Sequence, residues 1–530
     1  MMKIDPILPF PDSIQAVENG AIITLAPSAE NRWGSRFTLV TLQITGSEQS
    51  IAVECPHAAL SSLHLRWRSH ARHALRGCRL LGDAWERSSG DLEWRGIVPD
   101  RPMPWYFLAF NGVNTRGYGV KTGAGALCHW QVDTEGVSLW LDVRCGGEGV
   151  ELGQRSLLAA VVVTAQSQAA EGPFAFACRF TRLLCAQPLK VKAPVYGANN
   201  WYYAYGISSP AEIVRDSQVT SDLAPDMDNR PYSVIDAGWQ YTGSCYGSPW
   251  NIGNRDWPDM PLLAAQIAQT GCRPGIWYRP LLNNQLLPDG WTLSPQRFST
   301  PNQPGTILDP SVPEVLEIIR QDMARFVAWG YQLVKHDFST YDLFGQWEAQ
   351  MGSSMTGDGW RFHDSTRTSA EIIGAFYRTL CQAAGENTVV IGCNTIGHLS
   401  AGLVHLQRIG ADTSGLEWER TRKMGVNTLA FRASQHGAFF EADADCVGLT
   451  NQVPWELTRQ WLHLLSRSGT PLFVSASPDA LSPEVCTALK TAYTHAAKPA
   501  PLAEPLDWME TTTPARWSFA GEEVEYQWAL

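Results

Sequence analysis

The chain predicts a multidomain protein: an N-terminal β-sandwich, a central (β/α)8 TIM barrel and a short C-terminal β segment. Three observations predict it. Eight short β-like segments follow one another between residues 195 and 475. Amphipathic stretches separate most of them, as βα alternation requires. Before about residue 190 the rhythm differs, with short strands and turn-forming residues between them. At 530 residues the chain also exceeds one ordinary core. The expected divisions are 1–190 for the sandwich, 191–490 for the barrel and 491–530 for the last segment.

The first region carries β-rich runs at Arg36 to Ile44, Leu63 to Trp67, Trp105 to Phe110, Val137 to Val143 and Leu157 to Val163. Gly, Asp, Asn and Ser fall between them, as in Ser88-Ser89-Gly90-Asp91, which is turn chemistry. Phe174 to Leu184 reads as a helix leading into the next domain. The barrel segments are Val195 to Trp201, Tyr232 to Trp239, Arg273 to Tyr278, Tyr331 to Asp337, Thr388 to Asn394, Leu406 to Asp412, Ala438 to Asp445 and Pro471 to Ser475. Between them, Val312 to Ala328 places Val315, Ile318, Ile319, Met323 and Phe326 at helical spacing behind Pro313. Trp455 to Leu465 repeats that pattern before the eighth strand. The long loop Ser339 to Arg367 belongs on the face where such barrels carry their sites. Near the end, Trp517-Ser518-Phe519 and Val524-Glu525-Tyr526 suit a small hairpin or cap.

Composition excludes several classes. A net charge of −11 argues against nucleic acid, which asks for a basic face. No apolar run reaches spanning length, so no membrane partner is expected. Met1 to Pro6 lacks the apolar stretch of a signal peptide, and the 12 cysteines are scattered. Together these suggest a cytoplasmic protein with reduced thiols. The 12 histidines form no HExxH-type cluster, so no metal and no cofactor are expected. Self-association into a homo-oligomer is left open. The 22 tryptophans suit a carbohydrate ligand, because indoles stack on sugar C–H faces, although most of them are read as core.

The candidate chemistry lies at strand ends. Lys335-His336-Asp337 closes the fourth segment; residues two apart share a face, so Lys335 and Asp337 both look into the barrel and His336 looks outward. A neighbouring ammonium keeps Asp337 ionised, as a nucleophile requires. A Lys–Asp pair that only fixes strand register fits the same residues. Asp412 follows Arg408-Ile409-Gly410-Ala411 at the end of the sixth segment. A proton donor there needs a raised pKa, and a second carboxylate nearby supplies one. A helix-capping Asp412 is the alternative. Asp236-Ala237-Gly238-Trp239 offers a hydroxyl acceptor and a stacking ring. Asn199-Asn200-Trp201 offers the same, Cys393-Asn394 closes the fifth segment, and Glu441, Asp443 and Asp445 share a face of the seventh. Two carboxylates brought together from different strand ends are what glycosidic cleavage needs.

On these motifs, over roughly residues 195–480, the chain resembles glycoside hydrolase family 36 of the α-galactosidase and α-N-acetylgalactosaminidase clan. The carrying residues are Lys335-His336-Asp337, Arg408 to Asp412, Asp236-Ala237-Gly238-Trp239, Gly275-Ile276-Trp277 and Cys393. The resemblance implies a sandwich, a barrel and a small β-domain, and a retaining mechanism without metal. It implies Asp337 as nucleophile and Asp412 as acid/base. It implies Lys335 and Asp236 on the ring hydroxyls, Arg408 and Cys393 near the 2-position, and Trp201 and Trp239 as walls of the sugar pocket. Asn394 and Trp277 lie at the matching strand ends. The chain departs from the pattern where Ala237 replaces a second Asp, where His336 replaces an aromatic residue, and where Asn394-Thr395-Ile396 replaces a glycine pair.

The expected function is therefore a retaining α-glycosidase on an α-galactoside or a related α-linked sugar. A transglycosylase of the raffinose-synthase type on the same site is one alternative. A non-catalytic sugar-binding relative is another.

Overall fold

Period-two burial builds the first layer of the computed structural model, which describes residues 8–68, 75–241, 247–298 and 305–529. Along Ser13–Glu18, Ile14 and Ala16 turn inward between half-exposed neighbours, and Ile51 and Val53 do so along Glu48–Glu54. Leu60–Trp67 lies between Ser13–Glu18 and Gly136–Asp142 in a six-stranded antiparallel sheet. Ser156–Gln166 lies between Glu48–Glu54 and Thr115–Val120 in an eight-stranded one. Leu63, Leu65, Trp67, Val53 and Val162 meet in the core of this sandwich. Helix Pro173–Leu184 packs against the Thr115–Val120 strand, where two glycines make room. A Cβ on Gly117 would sit 2.6 Å from the Phe180 ring, and one on Gly119 would sit 2.9 Å from Leu184.

Eight parallel strands then close the barrel. In order they are Tyr196–Asn199, Tyr232–Ile235, Arg273–Tyr278, Leu333–His336, Val389–Gly392, Leu406–Arg408, a seventh in two pieces, and Leu472–Ala476. The first strand stops at Asn199 because Trp201 opens a short helix, Trp201–Ala204. The seventh differs from the single run read in the sequence. Glu441–Asp443 pairs with the sixth strand, and Cys446–Leu449 pairs with the eighth. Between them Asp445 takes a left-handed φ of 73°, and its N–H donates to Asp443 Oδ1 at 2.9 Å. That turn lets one strand change partners and seal the wall.

Helices Pro313–Ala328 and Trp455–Arg467 form where the apolar spacing places them. Helix Pro483–Ala496 follows the eighth strand and packs against the first. The tail forms a three-stranded antiparallel sheet from Glu504–Pro505, Arg516–Phe519 and Glu522–Glu525. Trp508 links all three regions, with ring contacts to Trp94 and Phe174 on one side and Phe431 on the other.

One segment carries the sandwich into the barrel mouth. Asp83 binds Arg432 at 2.9 Å and Gln435 at 2.8 Å, and Trp85 Nε1 donates to Gly352 O at 2.9 Å. Ser88 then exchanges backbone hydrogen bonds with Ile409 and Ala411, like a short extra strand beside the end of the sixth. Gly410 opposite has no room for a side chain, because a Cβ would lie 2.3 Å from Met424 O. No helix among the described residues is long and apolar enough to cross a membrane.

Candidate active site

Alternation along the fourth strand sorts its residues as expected. His336 is fully buried among the outer helices beside Phe376 and Tyr377, and burial pushes it down to about 3. Lys335 turns into the barrel and donates to Asp236 Oδ2 at 2.7 Å. Burial alone would lower the Lys335 ammonium, but the Asp236 carboxylate outweighs it and drives the pKa well above the ordinary lysine value. Asp236, at the end of the second strand, also accepts from Asn199 Nδ2 at 2.7 Å and from Ala237 N at 2.9 Å. Lys335 thus binds Asp236 directly, while Asp337 feels its charge from further off.

Asp337 is half-buried just past the fourth strand, and its N–H donates to Tyr278 O at 2.9 Å. Its carboxylate accepts from Trp277 Nε1 at 3.2 Å and from Phe338 N at 2.7 Å. Phe338 has a left-handed φ of 62°, so the chain turns sharply behind the carboxylate. The Arg279 guanidinium lies 4.1 Å over the Phe338 ring and pairs with buried Asp342. Those contacts fix the turn.

Arg408 sits on the sixth strand, 1% exposed. It reaches Asp445 at 2.8 Å, Asp412 at 3.2 Å and the Cys393 sulfur at 3.6 Å. Asp445 also accepts from the Tyr202 hydroxyl and from Thr413 N at 2.8 Å. The broken seventh strand thereby anchors the first and sixth. Asp443 beside it is raised to about 6, by burial first, with Arg408 opposing and Asp445 adding. Glu441 turns instead to His436 at 3.0 Å.

Asp412 departs from expectation. A proton donor calls for a raised pKa, whereas the structure holds this carboxyl down at about 2. Burial pushes the other way, but the Arg87 and Arg408 guanidiniums outweigh it. The side chain keeps 41% of its surface open to the mouth, so it stands as a reachable carboxylate between two cations. Arg87, from the sandwich, donates to it at 2.9 Å. Arg87 was missed, as was neighbouring Glu86, whose buried carboxyl is raised to about 7, by desolvation first. No local motif marks either residue; both arrive from another domain.

The remaining predicted residues divide. Cys393 is buried at the centre, where the charges of Asp337, Lys335, Arg408 and Arg87 all act on its thiol. Trp201 is half-buried at the mouth, its backbone N–H donating to Asn199 Oδ1 at 2.9 Å. Asn394 is fully buried and holds the scaffold, donating to Glu86 Oε2 at 2.7 Å and accepting from Tyr341 N at 3.1 Å. Trp239 is not a pocket wall. It is wholly buried, packs on Trp250 and Phe326, and spends its N–H on Trp277 O at 3.1 Å. Among the described residues no group of three or more His, Cys, Asp or Glu is placed to hold a metal ion.

A sandwich, an eight-stranded barrel with acids and cations converging at its mouth, and a small terminal sheet define the class. Over most of its length the chain matches solved α-galactosidase structures of glycoside hydrolase family 36 in fold, at low sequence identity. An α-galactosidase from Thermus thermophilus, solved with p-nitrophenyl α-D-galactopyranoside, is 18% identical, with 97% of this chain and 99% of that one covered and a TM-score of 0.59. The family 36 α-galactosidase AgaB from Geobacillus stearothermophilus is 13% identical over 92% and 75%, with a TM-score of 0.58. The α-galactosidase from Lactobacillus brevis is 14% identical over 90% and 72%, with a TM-score of 0.56. No family model and no curated protein matches the chain.

Proposed function

We propose that the chain is a retaining α-glycosidase acting on an α-galactoside or a related α-linked sugar. The carrying observation is the placement of Asp337 and Asp412 just beyond the fourth and sixth strands, in one network with Lys335, Asp236, Arg408 and Cys393. Asp337 is fixed by an indole and a backbone N–H, which suits a nucleophile aimed at an anomeric carbon. Its attack would displace the leaving oxygen, which takes a proton from Asp412, and give a covalent glycosyl-enzyme. Asp412 would then take a proton from water, which releases the sugar and regenerates Asp337. The Asp236–Lys335 pair, held by Asn199, presents donors and an acceptor to ring hydroxyls.

A panel of 4-nitrophenyl α- and β-glycosides tests the reading. Turnover of one α-glycoside, with the α-sugar released first in early NMR spectra, supports it. Release of the β-sugar first would sink double displacement, and no turnover of any α-glycoside would sink the assignment.

A further inference from the structure

One cation from the sandwich stands between carboxylates on two sides of the barrel mouth. Arg87 is 4% exposed. Its Nη1 donates to Asp412 Oδ1 at 2.9 Å, beyond the sixth strand. Its Nη2 donates to Glu348 Oε1 at 2.7 Å, in the loop behind the fourth. The guanidinium lies 5.8 Å from the Trp347 ring. The Glu348 side chain is 22% exposed and its N–H is fixed by Glu86 at 2.8 Å. The clamp therefore has a fixed root and two carboxylate seats.

A carboxyl that protonates a leaving group must first hold a proton, and a guanidinium on it opposes that. We propose that Arg87 is a positioning residue that sets the protonation of Asp412, with Glu348 as its second seat. Ligand entry that shifts the guanidinium towards Glu348 frees Asp412 to take its proton. This rests on the reading of Asp412 as the acid/base. The other charged or titratable groups acting with Asp412 are Arg408 from the sixth strand, Lys335 from the fourth, Arg420 from the helix beyond the sixth and Tyr202 after the first. Those acting with Arg87 are Asp412, Cys393, Glu86 and Glu348. Arg408 stays beside Asp412 when Arg87 is changed, so a shift is expected and not a loss of charge control.

The test pairs two variants of opposite sign in the full chain. In carbon-13 NMR, with Asp412→Asn to assign the signal, the wild-type Asp412 carboxyl should stay ionised down to about pH 4. In Arg87→Gln its midpoint should rise by about 1–3 pH units, the usual effect of one adjacent guanidinium. Arg87→Lys should restore part of the difference. In turnover, the alkaline limb of kcat should move up in Arg87→Gln. It should move down in Glu348→Gln, where the guanidinium has lost its other seat. Limbs that move the same way, or an Arg87→Gln carboxyl that titrates with the wild type, overturn the proposal. Turnover of no glycoside counts against the acid/base reading, and the carboxyl titration then decides the Arg87 contact alone. If Arg87→Gln does not fold, Arg87→Lys and Glu348→Gln carry the same comparison.

Discussion

At the scale of residues, strand alternation made Lys335, His336 and Asp337 legible, because period two dictates which side each one faces. Local pattern could not tell that Trp239 faces the core, since the turn at Gly238 decides its direction. We expect Trp239→Ala to cost about 3–5 kcal/mol of stability, as a buried indole does, seen as a lower denaturant midpoint with KM little changed. A large KM effect in a stable variant would return it to the pocket. Asp337→Asn should abolish turnover with the fold intact, checked by circular dichroism beside the rate. Asp412→Ala should slow poor leaving groups far more than nitrophenolate, and azide, attacking the β-linked intermediate from the face water uses, should be captured as an α-glycosyl azide. Ala237 is buried next to Asp236, where the family's pattern has a second Asp. A missing buried hydrogen bond costs about 1–3 kcal/mol, so 4-nitrophenyl α-galactoside should be a slow substrate, and Ala237→Asp should improve it. Wild-type kcat/KM on that compound of about 10⁴ M⁻¹s⁻¹ or more would refute the inference.

At the scale of elements, most barrel strands and the helices Pro313–Ala328 and Trp455–Arg467 were readable from apolar period and capping. The break in the seventh strand was not, because it depends on a left-handed Asp445 held by partners distant in sequence. Asp445→Ala would leave Arg408 without its 2.8 Å partner in the barrel interior and strip the acceptor from Tyr202 and Thr413. Breaking a buried ion pair from one side typically costs about 3–5 kcal/mol, so thermal unfolding should start well below wild type. A variant as stable as the wild type would show that the break holds itself.

At the scale of the whole molecule, the three-part layout was legible from the change of rhythm, while the Asp83–Ser88 insertion was not. Acid should weaken the assembly. Burial lowers His64, His129, His398 and His405 to about 4 and His336 to about 3. Below about pH 6.5 the unfolded chain protonates these rings and the folded chain does not, so stability falls as pH drops towards 4. Burial also raises carboxyls, Glu86 to about 7 and Asp443 to about 6, together with Asp83, Asp216, Asp309, Asp322, Asp342, Glu441 and Glu504, and these act in the opposite sense; we expect the rings to outweigh them between pH 5 and 7.5. The melting temperature should be lower at pH 5 than at pH 7.5, and an equal or higher value would refute this balance.

The Arg87–Asp412 contact joins residues 325 positions apart, with the cation made first. A ribosome adding about 5–20 residues per second takes roughly 16–65 seconds to supply the carboxylate after the guanidinium. Until Glu348 emerges, 261 residues after Arg87, a finished sandwich would carry a charged arm with nothing to grip, and until Asp412 emerges that arm holds only one of its two carboxylates. Pulse-labelled nascent chains should therefore pass through a protease-sensitive stage at Asp83–Ser88 that ends once the sixth strand has left the exit tunnel.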